Sequence, residues 1–302
     1  MTCPTGHYIG RFAPSPTGAL HFGSLMAAVA SFLDARAHQG QWLVRIEDLD
    51  PPREQPGASD QILRTLERYG LLWDGKVLYQ SQRHALYRDT LQRLLRKGLA
   101  YRCDCSRQQI AARGGRPYDG HCRLRQAEIS EPAAIRAVVD DRPIGFVDRI
   151  QGPQQFQFEQ GSGDFILFRR DGFFAYQLAV VVDDHAQGIN QIVRGSDLLD
   201  STPHQRHLQQ QLDLARPHYA HIPVMVNQTG QKLSKQTFAT ALDPKHPSRA
   251  LHAALQVLGQ QPPAAMRNAT PAELLSWAIT HWHIDAVPAR MSVSELALKE
   301  QG

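Results

Sequence analysis

Two segments far apart in the chain carry residue types suited to holding phosphate. The first is Pro14-Ser15-Pro16-Thr17-Gly18-Ala19-Leu20-His21-Phe22-Gly23-Ser24. It joins a short strand to an apolar helix, so free backbone N–H groups at the helix start can meet an anion. Thr17 and His21 can donate hydrogen bonds to phosphate oxygens, and Gly18 and Gly23 let backbone and ligand approach closely. The second segment is Lys232-Leu233-Ser234-Lys235-Gln236, which follows the turn-forming Thr229-Gly230. Two lysines flanking a serine suit a loop that closes on a triphosphate. Taken singly, the first segment also reads as a proline-rich loop before a buried helix, and the second as solvated surface. Their pairing is what points to a nucleotide.

A third cluster is of another kind. Cys103-Asp104-Cys105 is followed by Cys122, so three of the four cysteines fall within twenty residues. No export signal favours disulfides, and metal binding is the better reading. Three thiolates leave one position of a tetrahedral site open, for which His121 and water are candidates. Cys3 lies far from the others and reads as an unligated thiol.

The elements that must position these residues can be read coarsely. Ile9 to Phe12 is a strand. Leu20 to Ala37 is a buried helix ending near Gly40, and Trp42 to Ile46 is a second strand. Strand, glycine-containing turn, helix, strand is a βαβ unit, the opening of a doubly wound parallel sheet. Ser59 or Asp60 can cap a helix bearing Ile62, Leu63, Leu66 and Tyr69, stopped by Gly70. An amphipathic helix over about His84 to Lys97 presents Leu91, Leu94 and Leu95, and Gly98 stops it. Periodicity is lost from Tyr101 to Glu131, a stretch rich in Arg, Gly and Cys that reads as an inserted module. Phe165 to Phe168, Leu178 to Val182 and Ile189 to Val193 read as strands. Beyond Asp243, helices are expected over Ser248–Leu258, Pro271–His281 and Ser292–Lys299. The expected organisation is therefore a Rossmann-type α/β catalytic domain in two halves, 1–100 and 138–242. A metal-binding module at 101–137 interrupts it, and a small helical region at 243–302 follows it.

The 302 residues suffice for one large domain or two modest ones. A formal charge of +4 does not by itself imply nucleic acid. The basic residues are strongly biased to arginine, which suits phosphate and carboxylate forks but equally follows from compositional bias. Arg107, Arg113 and Arg116 in the module are candidate RNA contacts on the same footing. No apolar run is long enough to span a bilayer, and Met1 to His7 lacks the basic start and apolar stretch of a signal peptide. A soluble cytoplasmic protein is expected.

With these residues in place, a resemblance appears. His21-Phe22-Gly23-Ser24 resembles the HIGH signature of class I aminoacyl-tRNA synthetases, and Lys232 to Gln236 resembles their KMSKS loop. Arg11 to Gly18, Arg45 to Asp50, Tyr176 to Asp184 and Val193 to Leu198 are similar to the glutamyl and glutaminyl branch in particular. The resemblance covers roughly residues 8 to 240, with the motifs in order. It implies a class I synthetase fold and catalytic roles for Thr17, His21, Lys232 and Lys235. ATP would be bound by Thr17, His21, Gly23 and Lys235, with Mg²⁺ accompanying it but no dedicated protein site. Arg11, Phe12, Ala13, Pro14, Ser15, Glu47, Tyr176 and Arg194 would line the amino-acid pocket. The residue types suit glutamate: Arg11 and Arg194 can fork onto carboxylates, Glu47 can pair with the ammonium, and Tyr176 and Ser15 can donate neutral hydrogen bonds. In the module, the resemblance implies one structural Zn²⁺ held by Cys103, Cys105, Tyr118 and Cys122.

The sequence departs from a full glutamyl-tRNA synthetase by ending about sixty residues after the lysine loop, without the usual anticodon-reading part. This shortness and the cysteine module both match the truncated group of glutamyl-Q tRNA(Asp) synthetases. That likeness implies tRNA-independent activation of glutamate, then transfer to the queuosine base in the anticodon loop of tRNA(Asp). A base splayed from a loop is the kind of RNA that proteins recognise most readily. A minimal synthetase charging the tRNA 3′ end is the alternative. A monomer is expected.

Overall fold

The computed structural model describes residues 7–115, 117–140, 142–158, 161–227, 242 and 245–294. The expected lysine loop, with Lys232 and Lys235, lies outside these residues, as does Arg116.

The chain opens with the expected βαβ unit: β1 (Ile9–Phe12), α1 (Phe22–Ala37) and β2 (Gln41–Ile46), with β1 and β2 parallel. From Leu25 to Ala35 nearly every residue of α1 is buried, as its run of small and apolar residues requires. The helix α2 (Ala58–Arg68) starts one residue earlier than Ser59, with Gly57 at the cap in left-handed backbone (φ 75°). Ser59 and Asp60 therefore fall inside the first turn, where the Asp60 carboxylate still suits the positive end of the helix. A short β3 (Leu78–Tyr79) pairs parallel to β2, and α3 (His84–Arg96) follows, burying Leu91 and Leu94.

The cysteine segment leaves β4 (Ala100–Cys103) and passes through the short α4 (Arg107–Ala112), capped by Ser106 and Gln109. With β5 (Ala134–Ala137) and β8 (Ile166–Phe168), β4 forms an antiparallel sheet in the order β4-β5-β8. Between them lies the hairpin β6 (Ile144–Asp148) and β7 (Gly152–Phe156).

Leu178 to Val182, expected as a strand, lies within a helix, α5 (Tyr176–Ala186). Leu178 to Asp184 are buried without interruption. A helix enclosed on all sides shows no polar stripe, so a run of valines there is indistinguishable from a buried strand. The next strand is β9 (Gln191–Gly195), then α6 (Thr202–Leu212), β10 (His218–Ile222) and β11 (Val224–Val226). β9, β10 and β6 are parallel neighbours, with β7 at the antiparallel edge. β1 lies beside β9, and the Asn190 N–H donates to the Ile9 carbonyl (3.1 Å) where they meet. The order β3-β2-β1 therefore continues into β9-β10-β6, a doubly wound arrangement whose crevice opens at the carboxyl ends of the strands.

Helices α7 (Pro247–Val257) and α8 (Pro271–Thr280) form as expected and pack against α1, sharing one apolar core with β1 and β2. Ser292 to Ser294, expected to begin a third helix, form instead β12 (Ser292–Ser294), parallel to β11. Residues 295–299 of that expected helix lie outside the described residues. The pairing edge supplied by β11 is distant in sequence, so local propensity could not show it.

Candidate active site and metal centre

A cavity of about 370 Å³ opens at the carboxyl ends of the strands. Ser15, Pro16 and Thr17 of the loop after β1 line one side. Glu47, Leu49 and Asp50, just past β2, line another, and Phe174, Ala175 and Tyr176 at the entry to α5 close it. The loop is held to β2 by backbone bonds from Glu47 N to Pro14 O and from Gln55 N to Pro16 O, both 3.0 Å. Gly18 adopts φ 129°, and a Cβ there would lie 2.8 Å from Gln55 Oε1. The backbone angle is what makes this a position for glycine, since the Gln55 side-chain tip could shift.

Under the cavity is a layer of buried charge. The Asp184 carboxylate accepts from Arg11 Nε (3.1 Å), from Arg11 Nη2 (3.4 Å) and from Arg45 Nη1 (2.7 Å). Arg45 also reaches Glu47 Oε1 through Nη2 (3.3 Å). Burial works against the Asp184 charge, but Arg11 and Arg45 outweigh it and hold the carboxyl below its ordinary range. Glu47 goes the other way. Burial pushes it above the ordinary range, and Arg45 and Arg11 oppose this without cancelling it. Arg11 is thus largely engaged by Asp184, with two of its three nitrogens bonded there.

Arg194 is held differently. Nε donates to His221 Nε2 (3.0 Å), Nη1 to Gln205 Oε1 (2.9 Å) and the Tyr176 hydroxyl (3.4 Å), and Nη2 to Thr202 Oγ1 (2.8 Å) and the Leu198 carbonyl (3.3 Å). Every one of these partners is neutral, and among the described residues no carboxylate pairs with this cation. An arginine Nε can only donate, so His221 Nε2 is an acceptor and the ring proton sits on Nδ1, donated to Asp148 Oδ2 (2.6 Å). Burial holds His221 below its ordinary range, which agrees with a neutral ring. Burial pushes the Tyr176 phenol up, so its hydroxyl keeps a proton to donate.

The amino end of α1 faces the loop. His21 is its cap, Nδ1 accepting from the Ser24 backbone N–H (3.3 Å), and no acidic residue in the first turn quenches the positive end. A Cβ at Gly23 would press on the His21 ring at 3.2 Å. His21 and Gly23 thus stand together at the helix start and Thr17 lines the cavity, whereas Phe12, Ala13 and Pro14, at the end of β1 and in the loop, are not among the cavity-lining residues, nor are His21 and Gly23.

The cysteines converge separately. The sulfurs of Cys103, Cys105 and Cys122 all lie within 4.8 Å of one another. The Tyr118 hydroxyl is 3.3 Å from Cys103 Sγ and 3.5 Å from Cys105 Sγ. His121, the competing candidate, is not in the group and instead lies 3.3 Å from Arg125 Nη1. Arg113 donates to Cys105 Sγ (3.1 Å) and Arg136 to Cys103 Sγ (3.4 Å), as cations do around thiolates. Arg136 also stacks on the Tyr118 ring at 3.9 Å. Three sulfurs and a phenol oxygen in this compass fit a soft, four-coordinate metal ion.

Sequence reasoning missed Arg45, Asp184, Asp148, His221, Thr202 and Gln205. Arg45 and Asp184 stand inside motifs already singled out. As a helix the segment sets Tyr176 and Asp184 about 12 Å apart along its axis, where a strand would set them about 26 Å apart, and the strand reading hid that closeness. His221 carries no local signal: it is the register partner of Arg194 in the parallel β9–β10 pair.

Among the described residues, no helix is long and apolar enough to cross a membrane. Residues 9–265 match the family of class I tRNA synthetases (E and Q), catalytic domain. The glutamyl-Q tRNA(Asp) synthetase of Neisseria meningitidis serogroup B is 54% identical over 289 residues, 93% of this chain and 97% of its own. That of Ectopseudomonas mendocina is 51% identical over 292 residues, 97% and 99% of the two chains. The glutamate-tRNA synthetase of Elizabethkingia anophelis superposes with a TM-score of 0.79 at 25% identity, over 98% of this chain and 70% of that one. The glutamate tRNA ligase of Elizabethkingia meningosepticum, at 24% identity and a TM-score of 0.81, shares the fold over 98% of this chain and 68% of its own. The motifs, the doubly wound sheet and these likenesses agree: the chain belongs to the glutamyl and glutaminyl branch of the class I tRNA synthetases, in the glutamyl-Q tRNA(Asp) synthetase family.

Proposed function

We propose that the chain activates glutamate with ATP and transfers it to the queuosine base of tRNA(Asp). The observation that carries the reading is Arg194, a buried cation with five neutral partners and, among the described residues, no carboxylate, next to a cavity that also presents the Glu47 carboxylate. A ligand bringing a carboxylate to one and an ammonium to the other compensates both charges, the carboxylate taking over a donor from the longest Arg194 bonds, to Tyr176 (3.4 Å) or Leu198 (3.3 Å). Glutamate has one carboxylate to anchor there and a second left to react.

In the first step an oxygen of the glutamate α-carboxylate attacks the α-phosphorus of ATP. The bond to the bridging oxygen breaks and pyrophosphate leaves. Thr17, His21 and Gly23 at the start of α1, with Lys232 and Lys235, would hold the phosphates as charge moves onto the leaving group. Glu47 would hold the ammonium, and Arg11, Ser15 and Tyr176 would fix the rest of the amino acid. In the second step a queuosine hydroxyl attacks the acyl carbon. The bond to the phosphate oxygen breaks, AMP leaves and the hydroxyl proton is released. No side chain acts as a covalent nucleophile, and positioning supplies much of the rate. Mg²⁺ would accompany the ATP phosphates. Cys103, Cys105, Cys122 and Tyr118 would hold one Zn²⁺ whose part is structural, tying β4 to the loop that follows it so that the module can meet RNA.

The test uses labelled glutamate, ATP and three forms of tRNA(Asp): with queuosine, without it, and with queuosine but lacking the terminal adenosine. Label on the first and third forms and none on the second is the expected result. Label that needs the terminal adenosine and ignores queuosine would make the chain a short 3′-charging synthetase.

A further inference from the structure

We propose that Asp148 and His221 are positioning residues that keep the charge of Arg194 available for the side-chain carboxylate of the substrate, and so set the choice of glutamate over glutamine. The proposal rests on the glutamate-activating reading and adds the residues that determine its selectivity.

Asp148, His221, Arg194, Gln205 and Thr202 are all buried. Asp148 Oδ1 accepts from the backbone N–H groups of Ile150 (3.0 Å), Gln151 (2.9 Å) and His221 (3.1 Å), and Oδ2 takes the His221 ring proton. An anion so fully used is fixed in place. It fixes the ring in turn, and Nε2 meets Arg194 Nε at 3.0 Å. The register of the parallel strands sets His221 directly opposite Arg194. The result is a guanidinium with a rigid orientation and, among the described residues, no carboxylate bonded to it: the Asp148 charge that orients it stands one imidazole away. A carboxylate in the site of His221 would fix the same fork but neutralise it. An amide ligand would then lose little relative to a carboxylate.

Arg194 also lies at the recessed end of the site. It reaches the cavity through the Tyr176 hydroxyl, whereas Ser15, Pro16 and Thr17 line the cavity itself. The group that Arg194 takes is therefore the one that does not react, the γ-carboxylate, and the α-carboxylate is left towards the phosphates.

The experiment measures ATP–pyrophosphate exchange with glutamate and with glutamine, together with the ATP KM and the unfolding midpoint. The variants are His221→Gln, His221→Phe and the double variant Asp148→Asn/His221→Glu. The double variant moves the anion directly onto Arg194 at constant net charge, and the amide introduced by Asp148→Asn keeps an acceptor for the backbone N–H groups. Its glutamate KM should rise, and its glutamate-to-glutamine ratio in kcat/KM should fall, each about tenfold or more, with the ATP KM unchanged. His221→Phe, which has no acceptor, should raise the glutamate KM about tenfold with kcat nearly kept. His221→Gln restores a neutral acceptor and should stay near wild type. Should the double variant not fold, the contrast between Phe and Gln still decides. A double variant with the wild-type ratio, or Phe and Gln variants that behave alike, would overturn the relay. Wild-type protein without glutamate-dependent exchange would overturn the activation reading itself, and the relay with it.

Discussion

Asp184 Oδ1 lies 2.7 Å from Nη1 of Arg45 and 3.1 Å from Nε of Arg11, so one carboxylate on α5 ties together β1 and β2 beneath the cavity. Its neighbour Asp183 accepts from Gln80 (2.8 Å), Arg83 (2.5 Å) and Tyr87 (2.5 Å), tying the same helix to α3 and the turn before it. The two acids face different partners because consecutive helix positions are about 100° apart. Arg11 and Glu47, proposed to hold the amino acid, are part of this layer.

Asp184→Asn would leave Arg11 buried without its bonded anion and Arg45 with Glu47 as its bonded one. Breaking a buried pair from one side costs about 3–5 kcal/mol, so the unfolding free energy should fall by that order at neutral pH. The folded pKa of Asp184 is depressed, so its stabilisation is present above the ordinary carboxylate pKa and is lost as pH falls through the folded value. Wild type and variant should therefore converge in stability only in acid. Denaturant titrations at neutral and acid pH measure this, and a constant gap between the two proteins would count against the pair.

Much of this site is legible in the sequence, and the boundary is physical. Thr17, His21 and Gly23 are local to one strand-to-helix turn, where spacing alone implies proximity. Cys103, Cys105 and Cys122 announce themselves because thiols are scarce and cluster for few reasons. His221 and Asp148 are invisible, since their meeting with Arg194 depends on which strands pair and in what register. The valines of α5 and the Ser292–Ser294 strand misled for the same reason: burial and a distant pairing edge overrode local propensity.

The positions of Tyr118 and His121 favour the tyrosine as the fourth ligand proposed for zinc. The Tyr118 hydroxyl is among the sulfurs, and the His121 ring is beside Arg125. Zinc content after dialysis against a competing chelator should be near one per chain for His121→Ala. It should fall strongly for Tyr118→Phe and be lost in Cys105→Ser. ATP–pyrophosphate exchange should partly survive in Cys105→Ser, because Thr17, His21 and Gly23, proposed to hold the phosphates, lie in the β1–α1 turn and not in the cysteine module. Full zinc retention in Tyr118→Phe would reassign the ligand.

Gly163 holds Tyr118 in place from far along the chain. It adopts φ 60°, and a Cβ there would lie 2.3 Å from the Tyr118 carbonyl oxygen and 2.6 Å from its nitrogen. Gly163→Ala therefore adds backbone strain of about 1–2 kcal/mol and pushes the tyrosine aside. Metal affinity should drop about tenfold or more by chelator competition. Gly172→Ala is the control. It has φ 90° with nothing within 4 Å of the added carbon, so it carries the strain without the push and should keep its metal.

Glu47 should separate stability from function. Its folded pKa is raised, so a neutral carboxyl there favours the folded state, and that advantage is lost as pH rises through the folded value. At neutral pH the charged Glu47 is thus a cost to folding, though Arg45 at 3.3 Å reduces it. Glu47→Gln removes the charge and keeps an acceptor for Arg45, so its unfolding midpoint at neutral pH should equal or exceed that of wild type. The same change takes away the anion proposed for the glutamate ammonium. A charged hydrogen bond is worth about 1.5–3 kcal/mol, which puts the loss in glutamate kcat/KM at roughly 10- to 150-fold. In wild type, glutamate affinity should begin to weaken above the ordinary carboxylate pKa of about 4.3 as pH is lowered, because protonation starts early at a buried group. Thermal melts and exchange kinetics across pH measure both effects. A destabilised Glu47→Gln with unchanged glutamate KM would show that Glu47 serves the fold and not the substrate.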